Sequence, residues 1–274
     1  MSLSRGEARD LLSSHGLRPR RQLGQNFVVD PNTLRRIVRL AKVAAGDRVL
    51  EIGAGLGALT EALLEVGARI RAVEVDPGLV AILSAREQLA DAEIILGDAQ
   101  TVDWSEVVPP AEGPWTLVAN LPYNVATPVV LRILEQAPQV ERILVMVQLE
   151  VADRLAAGPG EEAYGAASVR VAYHATASVV GKVPPTVFLP QPAVDSGLVE
   201  IIRRPHPAVD PRSATEAEIF ALVKAAFGQR RKMLRRSLAT MVTPEAFAAA
   251  DVEPTRRPEE LDVMAFGRLA AAVR

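Results

Sequence analysis

Cysteine is absent from this chain of 274 residues, and histidine is rare. Without cysteine there can be no disulfide, no thiolate nucleophile and no zinc site built from thiolates. The three histidines, His15, His174 and His206, stand far apart and show no spacing typical of metal ligands. We therefore expect no metal, and we expect the histidines to be structural.

Long apolar runs are also missing. No stretch approaches the roughly 20 apolar residues that a transmembrane helix needs, and Met1–Glu7 lacks the apolar centre of a signal peptide. Aromatic residues make up only 4% of the chain, so an aromatic beside a motif is a candidate for stacking. The hydrophobic fraction of 49% is ample for a large core. These features favour a cytoplasmic protein without a membrane partner, with a monomer as the simplest assembly.

Positive charge is in slight deficit overall, with a formal net charge of −2, but its distribution is uneven. Residues 201–274 carry more cations than acids, and the rest of the chain carries more acids. Two basic clusters stand out: Arg18, Arg20 and Arg21, and then Arg230, Arg231, Lys232, Arg235 and Arg236. Local patches of this kind suffice to neutralise RNA phosphates, although either cluster alone is more typical of a solvated helix or tail face.

A short polar motif, Asn-Leu-Pro-Tyr at Asn120–Tyr123, follows the apolar run Trp115–Ala119. That run is typical of a buried strand, so the motif stands where a parallel strand meets its loop and where α/β sheets bind ligands. An asparagine oxygen and a backbone carbonyl can both accept hydrogen bonds from an –NH₂ group. A tyrosine ring offers a face on which a base can stack. The motif alone is equally compatible with a strand-end turn.

A glycine-rich turn follows an earlier predicted strand, Arg48–Ile52, and leads into a helical pattern over residues 58–64. Gly53 and Gly55 allow a ligand to approach the backbone closely. The Gly-x-Gly-x-Gly spacing differs from the G-x-G-x-x-G of dinucleotide-binding turns. In addition, Glu51 would repel a pyrophosphate but would suit the cationic methionine part of S-adenosylmethionine, so an NAD site is disfavoured.

Polar residues recur at the ends of successive predicted strands, at Glu51, Glu74, Asp98 and Asn120, with 22 to 24 residues between neighbours. That interval is one β-α unit, which predicts a parallel sheet whose marked ends meet at one edge. Glu74 has the position of a carboxylate that binds ribose hydroxyls, and Asp98 could accept from an adenine amino group. The alternatives are an exposed strand-end carboxylate for Glu74 and a cap of the next turn for Asp98.

With these motifs in place, the chain resembles the ribosomal RNA adenine N6-dimethyltransferases of the small-subunit type, which are class I methyltransferases that use S-adenosylmethionine. The resemblance runs from Arg18 to about Leu269. It is carried by these segments: Leu23–Phe27, Glu51–Gly57, Gly97–Ala99, Asn120–Asn124, Val147–Ala152, Tyr164-Gly165 and Phe188–Ser196. It implies a Rossmann-like α/β fold with a small C-terminal helical domain.

The resemblance also implies roles for individual residues. The residues that it implies for cofactor binding are Asn26, Val28, Glu51, Gly53, Gly55, Glu74, Asp98 and Asn120. Asn120 and the carbonyl of Leu121 or Pro122 would accept from N6 of the target adenine, with Tyr123 stacked on one face and Phe188 on the other. RNA would be bound by Arg20, Arg21, Arg230, Arg231, Lys232 and Arg235. The expected partner is 16S rRNA in an assembling small subunit, methylated near its 3′ end.

Two related functions stay open from the residues alone. One is a large-subunit (23S) rRNA adenine methyltransferase of the antibiotic-resistance type, which shares the Asn-x-Pro-Tyr logic. The other is a non-catalytic RNA-binding assembly factor on the same fold. The presence of Gly53, Glu74, Asp98 and Asn120 favours an active enzyme, and Tyr123-Asn124 together with the basic residues 230–232 favour the small-subunit type.

The length allows one large domain and a small one. We expect an N-terminal segment, 1–30, that closes over the cofactor and RNA site, a catalytic domain, 31–204, and a helical RNA-binding domain, 205–274. Further strands are predicted at residues 142–147, 168–173 and 197–202. Beyond the proline-rich boundary near 203–207, helices are predicted at 216–227 and 230–241 and over a closing stretch, 261–273.

Overall fold

The computed structural model describes residues 3–274, apart from the side chain of Arg21. The chain divides into two compact units. The first contains the residues up to Ala152 together with Val179–Ile202, and the second contains Asp153–Ser178 and Arg203–Arg274. The predicted boundary near residue 203 coincides with a division between units, but residues 153–178 also belong to the second unit. The functional assignment of three parts remains a prediction.

The sheet of the first unit has the predicted parallel strands at its centre. The strands are β1 (Phe27–Val28), β2 (Arg48–Ile52), β3 (Arg69–Glu74), β4 (Glu93–Leu96), β5 (Trp115–Asn120), β6 (Val140–Gln148), β7 (Ala175–Val183), β8 (Phe188–Leu189) and β9 (Ser196–Arg203). Seven of them form one sheet in the order β4-β3-β2-β5-β6-β9-β7, while β1 and β8 form a separate antiparallel pair. Strands β2 to β6 pair in parallel, and β9 runs antiparallel to β6.

Burial explains why the centres of the parallel strands are apolar on both faces. Val49, Leu50, Leu117 and Val118 have no exposed surface. Parallel strands are covered by helices on both faces, so both sets of alternating side chains are apolar. This arrangement confirms the α/β fold and places the carboxyl ends of β2, β3, β4 and β5 along one edge.

Helices connect and flank these strands. They are α1 (Arg5–Ser14), α2 (Pro31–Ala41), α3 (Ala58–Glu65), α4 (Pro77–Ala85), α5 (Trp104–Val107), α6 (Ala126–Gln136), α7 (Leu149–Ala156), α8 (Ala166–His174), α9 (Glu216–Gly228), α10 (Leu234–Ser237), α11 (Pro244–Ala249) and α12 (Val263–Ala272). Helix α4 begins where Asp76 accepts a hydrogen bond from the Gly78 backbone N–H and Pro77 supplies a preset φ angle. In the described part of the chain, no helix combines the length and apolar character needed to cross a membrane.

The predicted strand at 168–173 is wrong, because these residues form most of helix α8. Alternating Val169, Val171 and Tyr173 suggested a strand, but tertiary packing overrides that weak preference. Val169 and Tyr173 lie four residues apart on one helical face and pack in the core of the second unit. The Gly165 N–H donates to the Ser168 hydroxyl and thereby satisfies one backbone donor at the start of the helix.

The second unit is helical, as predicted for its C-terminal part. Phe266 and Leu234 are completely buried in its core, and the Tyr164 hydroxyl donates to the Leu261 carbonyl at 2.8 Å. The helix predicted over 230–241 is much shorter, since only Leu234–Ser237 is helical. Gly228 is the last residue of α9, and a turn in which the Lys232 N–H donates to the Gln229 carbonyl separates the two helices.

Candidate functional site

A pocket lies at the carboxyl edge of the parallel strands. Its walls include Glu51, Glu74, Asp98 and Asn120, which end or follow β2, β3, β4 and β5. The segment Leu23–Val28 forms another wall. The structure therefore brings together the four polar residues that the regular spacing predicted, along with the predicted N-terminal contributors Asn26 and Val28.

The glycine-rich turn forms the floor of the pocket. Gly53 and Gly55 have φ angles of 77° and 59°, a left-handed conformation that glycine adopts without steric cost. A Cβ added to Gly55 would stand 2.9 Å from the ring of Phe27. A side chain at position 55 would thus be both strained and crowded, so the glycine keeps this backbone open toward the pocket.

Glu74 accepts hydrogen bonds from the backbone of the same turn and of the residues after β3. Its Oε2 accepts from the Gly55 N–H at 2.9 Å, and its Oε1 accepts from the N–H groups of Val75 and Asp76 at 3.0 Å each. A carboxylate offers about four lone-pair positions, so one on Oε2 is left for a further donor such as a ribose hydroxyl. Burial raises the pKa of Glu74, although the backbone donors oppose this shift.

Glu51 is a second buried carboxyl group on the pocket wall. It is only 1% exposed, and it accepts a hydrogen bond of 2.7 Å from the Thr60 hydroxyl. Burial raises the pKa of Glu51 to about 8, with a smaller contribution from the nearby charge of Glu74. A cation in the pocket would favour its ionised form, so the site is electrostatically suited to a positively charged ligand.

Asp98 closes the turn after β4, as one of its two predicted functions requires, and it also lines the pocket. Its Oδ1 accepts from the Gln100 N–H at 2.8 Å, which closes the turn after β4. The residue also lines the pocket and is partly exposed there. The turn therefore fixes the carboxylate while Oδ2 stays available to a donor such as an exocyclic amine.

Asn120 is held in one orientation by the N-terminal segment. Its Nδ2 donates to the Asn26 carbonyl at 2.8 Å, and the Asn26 side chain in turn donates to the Gly24 carbonyl at 3.2 Å. Because the carbonyl accepts from the –NH₂ group, the Oδ1 atom of Asn120 is the end that faces away as an acceptor. The side chain lines the pocket, so it presents an acceptor to a ligand's amine.

The motif after Asn120 supplies a second acceptor and an aromatic face. The Pro122 carbonyl already accepts from the Val125 N–H at 3.1 Å, which favours the Leu121 carbonyl as the freer acceptor. The Tyr123 hydroxyl is 2.9 Å from the hydroxyl of Ser196, and burial raises the pKa of Tyr123. Tyr123 is partly exposed and lines the pocket, as a stacking role requires.

Phe188 does not share this position. Its ring has no exposed surface and packs in the hydrophobic core with Val28 and Leu198, while its backbone pairs with Val28. The structure shows a packing role for this ring, and the stacking of Phe188 on the adenine stays a prediction.

The predicted RNA-binding arginines differ in their surroundings. Arg20 is exposed but has a 3.5 Å contact with the Asp76 carboxylate. In the second unit, the Arg230 guanidinium forms an ion pair with the Glu259 carboxylate at 2.9 Å and donates to the Glu162 carbonyl at 2.8 Å. Arg231, Lys232 and Arg235 are exposed. The side chain of Arg21 lies outside the described residues.

The chain is similar to known proteins over nearly its whole length. The family model described as "Ribosomal RNA adenine dimethylase" matches residues 16–266. The chain is 49% identical to a protein of Cutibacterium acnes named "Ribosomal RNA small subunit methyltransferase A", over 99% of this chain and 94% of that protein. The chain belongs to the ribosomal RNA adenine dimethylase family. The resemblance inferred from the sequence motifs is thereby confirmed.

Solved structures support the same family fold. A dimethyladenosine transferase from Plasmodium falciparum superposes with a TM-score of 0.73 at 24% identity, covering 89% of this chain and 95% of that one. The 23S rRNA methyltransferase ErmE superposes with a TM-score of 0.69 at 25% identity, covering 90% and 99%. As a member of the rRNA adenine dimethylase family, the protein has a class I methyltransferase fold and is an enzyme of that class.

Two residues that matter for this site had no role in the sequence analysis. Gln25 donates to the buried carboxylate of Asp76 at 3.0 Å and also accepts from the Arg20 N–H at 2.7 Å. The residues Gln25 and Asp76 stand 51 positions apart, so no local pattern could reveal this contact. Its only signal in the sequence is that Gln25 precedes Asn26 within the motif Leu23–Phe27.

Proposed function

We propose that this protein uses S-adenosylmethionine to place two methyl groups on N6 of adenines near the 3′ end of 16S rRNA, during assembly of the small subunit. The observation that carries the proposal is the fixed amide of Asn120. Its Nδ2 is occupied by the Asn26 carbonyl, so Oδ1 presents an acceptor to the pocket. A primary amine such as N6 of adenine is the complementary donor.

The pocket fits S-adenosylmethionine on its own chemistry. The open turn at Gly53–Gly55 accommodates the methionine part, and Glu51 supplies a carboxyl group suited to its positive charge. Glu74 has a lone pair left for a ribose hydroxyl, and Asp98 has one for the adenine amine. When bound, the cofactor would supply an electrophilic methyl group from its sulfonium and would leave as the neutral thioether S-adenosylhomocysteine.

The protein groups activate the target amine by orientation. The N6 lone pair of adenine is delocalised into the ring, so the amine is a weak nucleophile. In the first transfer, acceptance of its two hydrogens by Asn120 Oδ1 and the Leu121 carbonyl pulls the nitrogen toward tetrahedral geometry and frees the lone pair; the monomethylated amine has one hydrogen left for the same acceptors. Tyr123 holds the base by stacking. Attack on a methyl group is then an in-line displacement that depends chiefly on positioning.

The proton of the methylated amine needs no dedicated base. Methyl transfer leaves a positively charged ammonium, which is acidic enough to lose its proton to water. Among the pocket groups, burial raises the pKa of Glu51 to about 8, and one of its oxygens already accepts from the Thr60 hydroxyl. We therefore assign Glu51 to charge complementarity and assign proton release to solvent.

The choice of the small subunit as substrate is supported by the sequence identity to named relatives. The small-subunit methyltransferase of Cutibacterium acnes is 49% identical over almost the entire chain, whereas ErmE, named for 23S rRNA, is 25% identical. This difference favours the small subunit. The exposed cations Arg231, Lys232 and Arg235 are suited to phosphates. The non-catalytic alternative is disfavoured because the acceptor, both carboxylates and the glycines are all in place.

The test is transfer of tritium from labelled S-adenosylmethionine to unmethylated small subunits, with large subunits in parallel. We expect label in small-subunit RNA alone. Label confined to large-subunit RNA would assign the protein to the resistance type. Cofactor binding without label in either RNA would refute the enzymatic proposal for ribosomal substrates.

A further inference from the structure

The segment Arg20–Asn26 lies along the pocket, and hydrogen bonds on two sides attach it to the rest of the first unit. On the side of the Asn-Leu-Pro-Tyr motif, Asn120 donates to the Asn26 carbonyl, and Asn124 donates to the Gln22 carbonyl at 3.3 Å. A Cβ at Gly24 would approach the Pro122 Cβ to 3.1 Å, so the backbone here lies directly against the motif.

On the other side the attachment depends on Gln25. Its amide bridges two groups, because Oε1 accepts from the Arg20 N–H at 2.7 Å and Nε2 donates to Asp76 Oδ2 at 3.0 Å. The Arg20 guanidinium, which is itself exposed, adds a longer contact of 3.5 Å to the same oxygen of the buried carboxylate. This distance exceeds the length of about 2.7–2.9 Å typical of a charge-assisted hydrogen bond, so the Gln25 amide is the main link.

Asp76 is a rigid anchor for this link. It is only 3% exposed, its Oδ1 accepts from the Gly78 N–H at the start of α4, and its own N–H donates to Glu74. A buried carboxylate keeps its hydrogen-bond partners because an unpaired one is costly. The anchor therefore connects the carboxylate proposed to hold the ribose with the segment that orients Asn120.

We propose that Gln25 is a positioning residue for methyl transfer. By bridging the Arg20 N–H and the Asp76 carboxylate, it fixes the adjacent Asn26 carbonyl and thereby the amide of Asn120. This inference rests on the proposed function, since it assigns the support of the acceptor that binds N6. In this role Gln25, which also lines the pocket, acts through the Asn26 carbonyl and the Asn120 amide.

The consequence of losing the bridge follows from the asymmetry of an amide. If the Asn26 carbonyl is no longer held in place, the Asn120 amide is free to turn by 180° and present Nδ2 to the pocket. A donor would then face the N6 donor, and methyl transfer would stop in that fraction of molecules. Misplacement of about 1 Å near a reacting group lowers rates by roughly a hundredfold.

The test uses a polarity swap between the two partners. Asp76→Asn alone replaces the oxygen that accepts from the Gln25 amide by an –NH₂ group, so two donors face each other. Gln25→Glu alone places two carboxylates about 3 Å apart. In the double variant, the carboxylate at position 25 accepts from the Arg20 N–H and from the amide nitrogen at position 76. The amide oxygen at position 76 still accepts from the Gly78 N–H. The double variant thereby restores the bridge, with the direction of the hydrogen bond between the two side chains reversed.

We expect Gln25→Met and both single swaps to lower kcat at saturating cofactor by roughly tenfold to a hundredfold. The dissociation constant for S-adenosylmethionine, measured by calorimetry, should rise by a smaller factor. The double swap should recover kcat to within a few-fold of wild type. The matched control is Gln88→Met, which changes an exposed glutamine outside the pocket wall and should leave both constants unchanged.

The outcomes separate the two proposals. A wild-type protein that binds cofactor but methylates no ribosomal RNA refutes the proposed function. An active wild type with a Gln25→Met variant of equal kcat overturns the positioning role. Impaired single variants without recovery in the double swap also overturn it, because a bridge between Gln25 and Asp76 requires that restored polarity restore activity.

Discussion

Replacement of Asn120 by alanine tests the proposed acceptor most sharply. The change removes Oδ1, which faces the pocket, and Nδ2, which holds the Asn26 carbonyl at 2.8 Å. Two effects follow from one substitution: the N6 amine loses an oriented acceptor, and the N-terminal segment loses a tether. They are separable because the first acts on the rate and the second acts mainly on stability and cofactor binding.

The magnitudes differ enough to be measured apart. Removal of one preorganised polar contact that is used in the transition state lowers kcat by about a hundredfold to a thousandfold, or roughly 3–4 kcal/mol. Asn26 is only partly buried, so water can replace the donor that its carbonyl loses. The free energy of unfolding should therefore fall by about 1 kcal/mol, at the low end for an unsatisfied group.

The assay is a single-turnover methylation of small-subunit RNA at saturating cofactor, with urea denaturation of the same samples. The control is Asn124→Ala, which removes the other, exposed tether of 3.3 Å to the Gln22 carbonyl without touching the proposed acceptor. We expect this control to retain the rate within about threefold, since an exposed contact contributes little. An Asn120→Ala rate within about a factor of ten of wild type, in a folded protein, would refute the reasoning.

Three further predictions concern the floor of the pocket, its buried charge and the basic cluster. Gly55→Ala should lower the free energy of unfolding by about 2–4 kcal/mol, because it combines left-handed strain with the 2.9 Å clash against Phe27; an unchanged urea midpoint would contradict this. Glu51 has a pKa of about 8 in the folded protein and 4.5 as a free group, so the native state binds the extra proton between these values. The free energy of unfolding should therefore fall as pH rises from about 5 to 8, by up to about 1.4 kcal/mol per pH unit, and Glu51→Gln should flatten this slope; parallel slopes would count against it. Reversal of Arg231 and Lys232 to glutamate should weaken RNA binding and reduce its salt dependence, with cofactor affinity unchanged; equal loss of both affinities would indicate misfolding.

The fold and the pocket wall were predictable because their signals are local and repeat. An apolar strand followed by one polar residue marked Glu51, Glu74, Asp98 and Asn120, and the parallel sheet brings these ends together. The glycine-rich turn was also predictable from the sequence, since the left-handed φ angles at Gly53 and Gly55 favour glycine.

The wrong strand, and the contacts that the sequence did not show, arise where tertiary contacts outweigh local pattern. Residues 168–173 alternate like a strand, yet Val169 and Tyr173 are buried on one face of α8. Phe188 stands in a motif but packs in the core. No local pattern pairs Arg230 with Glu259, which lies 29 residues away. In each case the deciding partner is remote in the chain.

The hydrogen bonds that hold the site residues in place could not be predicted from the sequence for the same reason. Gln25 and Asp76 are 51 residues apart, and the Asn26 carbonyl that orients Asn120 comes from 94 residues upstream. Sequence motifs predicted Asn26 and Asn120 as site residues, and the structure places both on the pocket wall. Only the folded chain shows that the N-terminal segment fixes the direction of the Asn120 amide.

The central claim is that the pocket methylates N6 of adenine in small-subunit RNA. It is tested most directly by incubation of unmethylated small subunits with protein and S-adenosylmethionine, digestion of the RNA to nucleosides and mass spectrometry. The account predicts N6,N6-dimethyladenosine, recovered from a fragment near the 3′ end and absent with Asn120→Ala. A methyl group on a ring nitrogen, a ribose hydroxyl or another base would contradict it.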